Sequence, residues 1–147
     1  MARTEKIELT NMCMVYDGSR VLALEKTGGY HGITFPGGHV EKGESFTDAV
    51  IREVREETGL KISAPVLCGI KDWCEDGVRH VVLLYRAEQF TGTLRSSDEG
   101  EVCWAELAGL PRSILHLPTC STFSACLKKM ISASCSTART VKIGLTN

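Results

Sequence analysis

The residues best suited to chemistry lie in one short stretch, Arg52-Glu53-Val54-Arg55-Glu56-Glu57. At about 100° per helical residue, Glu53, Glu56 and Glu57 share one side within an arc of roughly 100°. Phe46, Ala49 and Val50 fall on that same side, so it is expected to face a core. A solvated, salt-bridged surface is the ordinary explanation for such a charged run, and the geometry weighs against it. Three carboxylates at helical spacing repel one another, and turning them inward adds the cost of taking charge out of water. Arg52 and Arg55 are expected to point to other sides, where they could not neutralise all three. A hard divalent cation would neutralise them, because oxygen ligands at about 2.1 Å suit Mg²⁺. The spacing predicts a metal site.

Just upstream, Pro36-Gly37-Gly38 and Lys42-Gly43-Glu44 form a glycine-rich segment. A simple connection would explain it. Beside a carboxylate cluster, however, glycine lets the backbone approach a ligand closely, with a carbonyl at Gly37 or Gly38 turned to the metal. Metal, carboxylates and glycine loop together suit phosphoryl chemistry, since a bound metal bridges phosphate oxygens and activates water.

The elements that position these residues can be read from pattern. A helix is expected over Ser45 to Thr58, capped by Ser45 or Glu44, with Asp48 in its first turn and Gly59 as its stop. Before it, strands are predicted at Ile7 to Tyr16 and Arg20 to Lys26, turning at Asp17-Gly18-Ser19. The Gly-rich stretch Thr27 to Phe35 reads as a loop leading into a short strand. After the helix, strands are expected at about Lys61 to Cys74, Val78 to Phe90 and Glu101 to Leu107. A last helix over about Thr119 to Ser132 follows from Phe123, Cys126, Leu127, Met130 and Ile131 at helical spacing. The end, Ala133 to Asn147, reads either as a frayed, flexible tail or as a short strand. This order implies an α/β fold, a mixed sheet with helices on its faces.

Gly38 to Leu60, GHVEKGESFTDAVIREVREETGL, resembles the Nudix box, G-x5-E-x7-R-E-U-x-E-E-x-G-U with U bulky and apolar. Gly38, Glu44, Arg52, Glu53, Val54, Glu56, Glu57, Gly59 and Leu60 meet every fixed position, a far more specific signal than a lone glycine motif. A looser likeness extends from about Leu9 to Pro111. The resemblance implies an α/β/α sandwich around a mixed sheet, in one domain spanning 1–147. It implies that Glu53, Glu56, Glu57 and the Gly37 carbonyl hold Mg²⁺ or Mn²⁺, while Arg52 and Glu44 orient the loop and the catalytic helix. It makes Glu53 the candidate base that activates water. An extra carboxylate from a later loop often completes such sites, and Ser97-Asp98-Glu99-Gly100-Glu101 resembles that segment, with Glu99 the better match and Glu101 second. Glu99 reads equally well as a solvated turn residue.

The short length and the GITFPGGHVEKGE and SDEGEVCW stretches look most like the MutT-like branch, which includes 8-oxo-dGTP diphosphatases. That branch implies a nucleotide substrate cleaved to a nucleoside monophosphate and pyrophosphate. The proline and tyrosine landmarks of ADP-ribose and dinucleoside polyphosphate hydrolases are missing; Glu75, Asp76 and Gly77 occupy that region. For substrate contacts, Gly38 and Lys26 are candidates near the phosphates, Asn11 as an amide for the base, and Phe35, Trp73 or His116 as stacking partners. Each has a plainer reading: Lys26 as a surface residue at a strand end, Asn11 as an edge-strand polar residue, the aromatics as core, His116 as an exposed loop residue. Oxidised-purine enzymes read the base with acids or amides after the last strand, and the stretch Leu115 to Cys120 has neither. Nucleotide-sensing Nudix domains typically lose box carboxylates; this chain keeps them, which favours an enzyme.

Whole-chain properties agree. A chain of 147 residues suits a single core. No apolar run approaches the roughly 18 residues that span a bilayer, and MARTEKIELT lacks a signal-peptide core, so a cytoplasmic location and no membrane partner are expected. Seven cysteines, an odd number with no C-x-x-C pair, read as reduced, mostly buried small hydrophobes. The stretch from Leu107 to Asn147 has no acid and five basic residues, too few to suggest a nucleic-acid partner. Oligomeric state, monomer or homodimer, stays open.

Overall fold

The computed structural model describes residues 3–26 and 32–110. Its centre is a parallel pair, β1 (Lys6–Asp17) and β6 (Val78–Ala87), in register from Lys6 opposite Val78 to Val15 opposite Ala87. Successive strand residues face opposite sides, and both sides of this pair are apolar, as expected where a sheet is covered on both faces. Cys13, Val15, Leu83 and Tyr85 point to one side; Met14, Val82 and Leu84 point to the other. β5 (Val66–Glu75) pairs antiparallel with β6 as an edge. On the other flank β1 turns at Gly18-Ser19 into β2 (Arg20–Lys26), which pairs with β3 (Gly32–Thr34) and β8 (Gly100–Glu106). The expected hairpin is therefore real but shallow, with only Tyr16–Val21 and Asp17–Arg20 in register. Further along, β1 bonds the glycine segment instead: Asn11 N–H donates to Gly38 O and Cys13 N–H to Pro36 O, both at 2.8 Å.

A parallel pair needs a long crossover, and α1 (Phe46–Thr58) lies within it. Ser45 is the cap: its hydroxyl accepts the Asp48 N–H at 3.1 Å. Gly59 ends the helix in the left-handed conformation (φ 78°) and its N–H reaches Arg55 O at 2.9 Å. Val50 and Val54, fully buried, insert among Cys13, Val15, Leu22, Leu83 and Tyr85. Burying each such side chain stabilises the fold by roughly 1.5–3 kcal/mol. Phe46, expected on the same inward stripe, is 44% exposed, because the helix meets the sheet only from its second turn.

The two long strands expected after α1 are each broken. The first divides into β4 (Leu60–Ser63) and β5 at Ala64-Pro65, where Ala64 has φ 46°. The second divides into β6 and β7 (Gln89–Gly92), and β4 and β7 form their own two-stranded ladder beside the end of α1. The mixed sheet and its helix form the frame of an α/β/α sandwich. The expected helix over Thr119 to Ser132, the end from Ala133 to Asn147, and His116 lie outside the described residues. Among the described residues only Cys13 is a buried cysteine; Cys74 and Cys103 are exposed, so the expectation of mostly buried thiols does not hold there. No helix among them is long and apolar enough to cross a membrane.

Candidate active site

The three helix carboxylates do not share one environment. Glu57, next to the Val50–Val54 stripe, is 2% exposed. Glu53 lies between the other two in helical projection, its side chain 13% exposed, whereas that of Glu56 is 60% exposed. Glu56 sits about 100° round the helix from Glu57, which carries it out of the buried sector. The expectation of a single inward carboxylate face therefore holds for Glu57, partly for Glu53, and not for Glu56.

Arg52, expected on another side of the helix, reaches two of the three carboxylates, and as expected it does not neutralise all three. Its guanidinium bonds both oxygens of Glu44 at 2.8 and 2.9 Å, Glu53 at 2.8 Å, Glu56 at 3.1 Å and the His39 carbonyl at 3.0 Å. A planar fork satisfies several acceptors at once, so Arg52 offsets two of the three helix charges and ties the 39–44 loop to α1. Its hydrogen bonds hold the Glu44 carboxyl below the usual range. Glu44 in turn accepts the Glu41 N–H at 3.1 Å, which fixes the loop against itself.

Glu57 meets a different set of groups. Its Oε2 accepts the Gly37 N–H at 2.7 Å, while its Oε1 is buried with no hydrogen-bond partner. Lys26 Nζ lies 3.9 Å from Glu57 and 3.3 Å from Glu99. Burial pushes the Glu57 carboxyl up to about 8, and the neighbouring Glu99 carboxylate pushes it the same way. Glu99 moves down, beside the Glu57 carboxyl and the Lys26 ammonium. Two carboxyl groups this close share a proton and titrate as a pair. Glu99 is thus brought to the helix, whereas Glu101 is exposed and paired in the β-ladder with Glu25.

The glycines are needed for space. A Cβ on Gly37 would overlap the Asn11 carbonyl oxygen, and one on Gly38 would stand 2.6 Å from the Glu53 carboxylate. Glycine at these positions lets the loop lie between β1 and the helix. Lys26, read as a plain strand end or a phosphate contact, belongs to the carboxylate group. Two substrate candidates are buried. Phe35 is 4% exposed in the core with Met14 and Leu84, and Asn11 is 3% exposed on a central strand rather than an edge. Trp73, 39% exposed, stacks on His80 with ring centroids 5.0 Å apart, on the sheet face opposite α1. Sequence reasoning missed Glu8, which holds His39 at 2.6 Å and His80 at 3.2 Å; no spacing rule links those three positions.

Among the described residues no three His, Cys, Asp or Glu side chains converge as a ready metal cage. The arrangement still fits a cation at one point: a buried carboxylate oxygen without a partner, beside a second carboxylate, is a costly array that positive charge would relieve.

A sequence profile of the NUDIX domain matches residues 8–118. The chain belongs to the Nudix family. Nudix hydrolases generally use divalent metal ions and act on small nucleotide substrates. This Nudix chain is 35% identical over 101 residues to the Nudix hydrolase YvcI of Bacillus subtilis, covering 65% of this chain and 63% of that one. It is 32% identical over 100 residues to an ADP-ribose pyrophosphatase of Methanocaldococcus jannaschii, covering 65% and 59%. The alignments thus span about three-fifths of the length of these relatives. Among solved structures, a mutator MutT protein from Bacillus halodurans superposes with a TM-score of 0.65 at 29% identity, over 82% of this Nudix chain and 80% of that one.

Proposed function

We propose that this chain is a metal-dependent pyrophosphohydrolase that cleaves a nucleoside triphosphate to a nucleoside monophosphate and pyrophosphate. The observation that carries the reading is Glu57: a carboxylate buried to 2% exposure, one oxygen unpartnered, beside Glu99 and under the Gly37 amide. Its bond from the Gly37 amide satisfies one oxygen, and the buried, unpartnered second oxygen has no structural purpose in the described residues. Glu53, Glu56, Glu57 and Glu99, with the Gly37 carbonyl, would hold Mg²⁺ or Mn²⁺, and Arg52, which bonds Glu53 and Glu56, would orient them. The ion, when bound, offsets charge on the phosphate oxygens and favours water as nucleophile. Water oxygen bonds to one phosphorus of the diphosphate, the bridging P–O bond breaks, and the water proton passes to a carboxylate, with Glu53 the candidate. Lys26 and the Gly38 backbone are the candidate contacts for the phosphates.

A normal or oxidised nucleoside triphosphate, with 8-oxo-dGTP a candidate, is the favoured substrate, supported by the box-flanking stretches and by the likeness to a MutT protein. The second reading is ADP-ribose or another nucleoside diphosphate derivative, favoured by the Methanocaldococcus relative. Retention of every box carboxylate supports hydrolysis over nucleotide sensing. The test is a hydrolysis screen over normal and oxidised dNTPs, ADP-ribose, nucleotide sugars and dinucleoside polyphosphates, with Mg²⁺ or Mn²⁺ and product analysis. Faster turnover of ADP-ribose than of any triphosphate would overturn the triphosphate assignment. Tight nucleotide binding without turnover would overturn the enzyme.

A further inference from the structure

Asn11 is the one buried amide in the described structure with neither polar atom satisfied: Nδ2 and Oδ1 are both buried and without a hydrogen-bond partner. Such groups are rare in folded proteins, since each forfeits its hydrogen bonds to water with nothing in return. The position of Asn11 tells where its amide points. Along β1, side chains alternate, and Cys13 and Val15 pack toward α1 with Val50 and Val54. Asn11 lies on the same side as Cys13, and its register partner Leu83 also packs toward α1.

On the neighbouring backbone, Thr10 pairs with His39 and the Asn11 N–H bonds Gly38 O at 2.8 Å, so Asn11 stands across from Gly38. Cross-strand Cβ positions are roughly 5 Å apart. The space a Gly38 Cβ would take is filled by the Glu53 carboxylate, whose oxygens lie 2.6 and 2.7 Å from that point. The unpartnered amide and the Glu53 carboxylate are thus next-door neighbours on the helix side of the sheet. In the structure described, Glu53 Oε1 is drawn instead to Arg52 at 2.8 Å.

We propose that Asn11 is a positioning residue for Glu53: when the site is loaded, the Glu53 carboxylate is held by the Asn11 amide N–H. The inference rests on the metal-site reading of Glu53 given above. It explains why an amide sits where a hydrophobe would pack more cheaply, and why Gly38 must lack a side chain.

The test is the near-isosteric Asn11→Leu, with Asn11→Ala as the variant that cannot clash. Each is compared with wild type by Mn²⁺ titration followed by electron paramagnetic resonance, by melting in chelator, and by steady-state kinetics. Removing a hydrogen-bonding support of a metal ligand typically weakens affinity by about 10–100-fold. Mn²⁺ affinity is expected to drop by at least about 10-fold, kcat to fall, and KM to change little. Asn11→Leu, freed of an unpaired amide, should melt no lower than wild type without metal. Unchanged Mn²⁺ affinity and kcat in a folded variant would overturn the proposal while leaving the metal site intact. A wild-type protein that binds no Mn²⁺ would overturn both it and the reading on which it rests. A loss of melting temperature in chelator with Mn²⁺ affinity preserved would show Asn11 to be structural only.

Discussion

Replacing Glu57 by glutamine should stabilise the metal-free protein at alkaline pH and leave it nearly unchanged at acid pH. The side chain keeps its shape and still accepts the Gly37 N–H, while its new amide can donate to Glu99. What disappears is a charge. In the unfolded chain Glu57 titrates at its ordinary value of 4.5, and in the folded protein at about 8. A raised folded value means that the native state binds the extra proton between these limits. Stability is therefore full below about 4.5 and is lost as pH rises through about 8. The separation of the two values, at 1.36 kcal/mol for each unit of pH, gives an upper bound of about 5 kcal/mol. Sharing of the proton with Glu99, and relaxation of a site near the surface, reduce this to about 2 kcal/mol. For a domain of this size that is a rise in Tm of roughly 4–8 °C. Thermal melts of wild type and Glu57→Gln in chelator at pH 5 and pH 9 measure it. An equal Tm difference at the two pH values would refute the assignment of the penalty to Glu57 ionisation. Adding Mg²⁺ at pH 8 should raise the wild-type Tm, by preferential binding to the folded state, and leave the variant's Tm almost unmoved.

Other outcomes follow from the same geometry. Arg52→Lys cannot fork between Glu44, Glu53 and Glu56, and kcat should fall by about 10–100-fold, with faster amide hydrogen exchange over residues 39–44. Gly37→Ala drives a methyl into the β1 backbone, whereas Gly38→Ala meets only the flexible end of Glu53. The first should lower stability by about 1–3 kcal/mol, read by urea melts, and the second should chiefly lower kcat. Ser45→Ala removes the α1 cap and should cost about 1 kcal/mol of stability without altering KM.

The helix was legible because its signals are local: Ser45 and Gly59 bracket it, and Val50 and Val54 repeat at its period. So was the importance of the carboxylates, but not their inequality. Periodicity assigns a side and not a depth, and only the sheet's position tells that Glu57 is covered while Glu56 is not. The reach of Arg52 was hidden for a related reason: a long side chain leaves its own helix face and bonds a loop eight residues upstream at Glu44. The break at Ala64 carried a readable cue, since a residue before proline is restricted. The break at Glu88 had none; it arises because β7 leaves β6 to pair with β4. Asn11 was misplaced for the same cause, as the central position of β1 depends on its distant partner β6.

The short β4–β7 ladder helps to set the geometry between chemical groups far apart in the chain. Glu57 precedes β4 by three residues; β7 returns alongside, and Arg95 N–H then bonds Thr58 O at 2.9 Å before the chain reaches Glu99. Glu57 thus hangs from this bracket, while Glu99 is also held by the β2–β8 ladder, where the adjacent Gly100 pairs with Lys26; the two ladders together set the gap. A disturbance at Ile62 or Phe90, opposite each other in the ladder, would widen or narrow that gap like a bent calliper, with no residue near the chemistry altered.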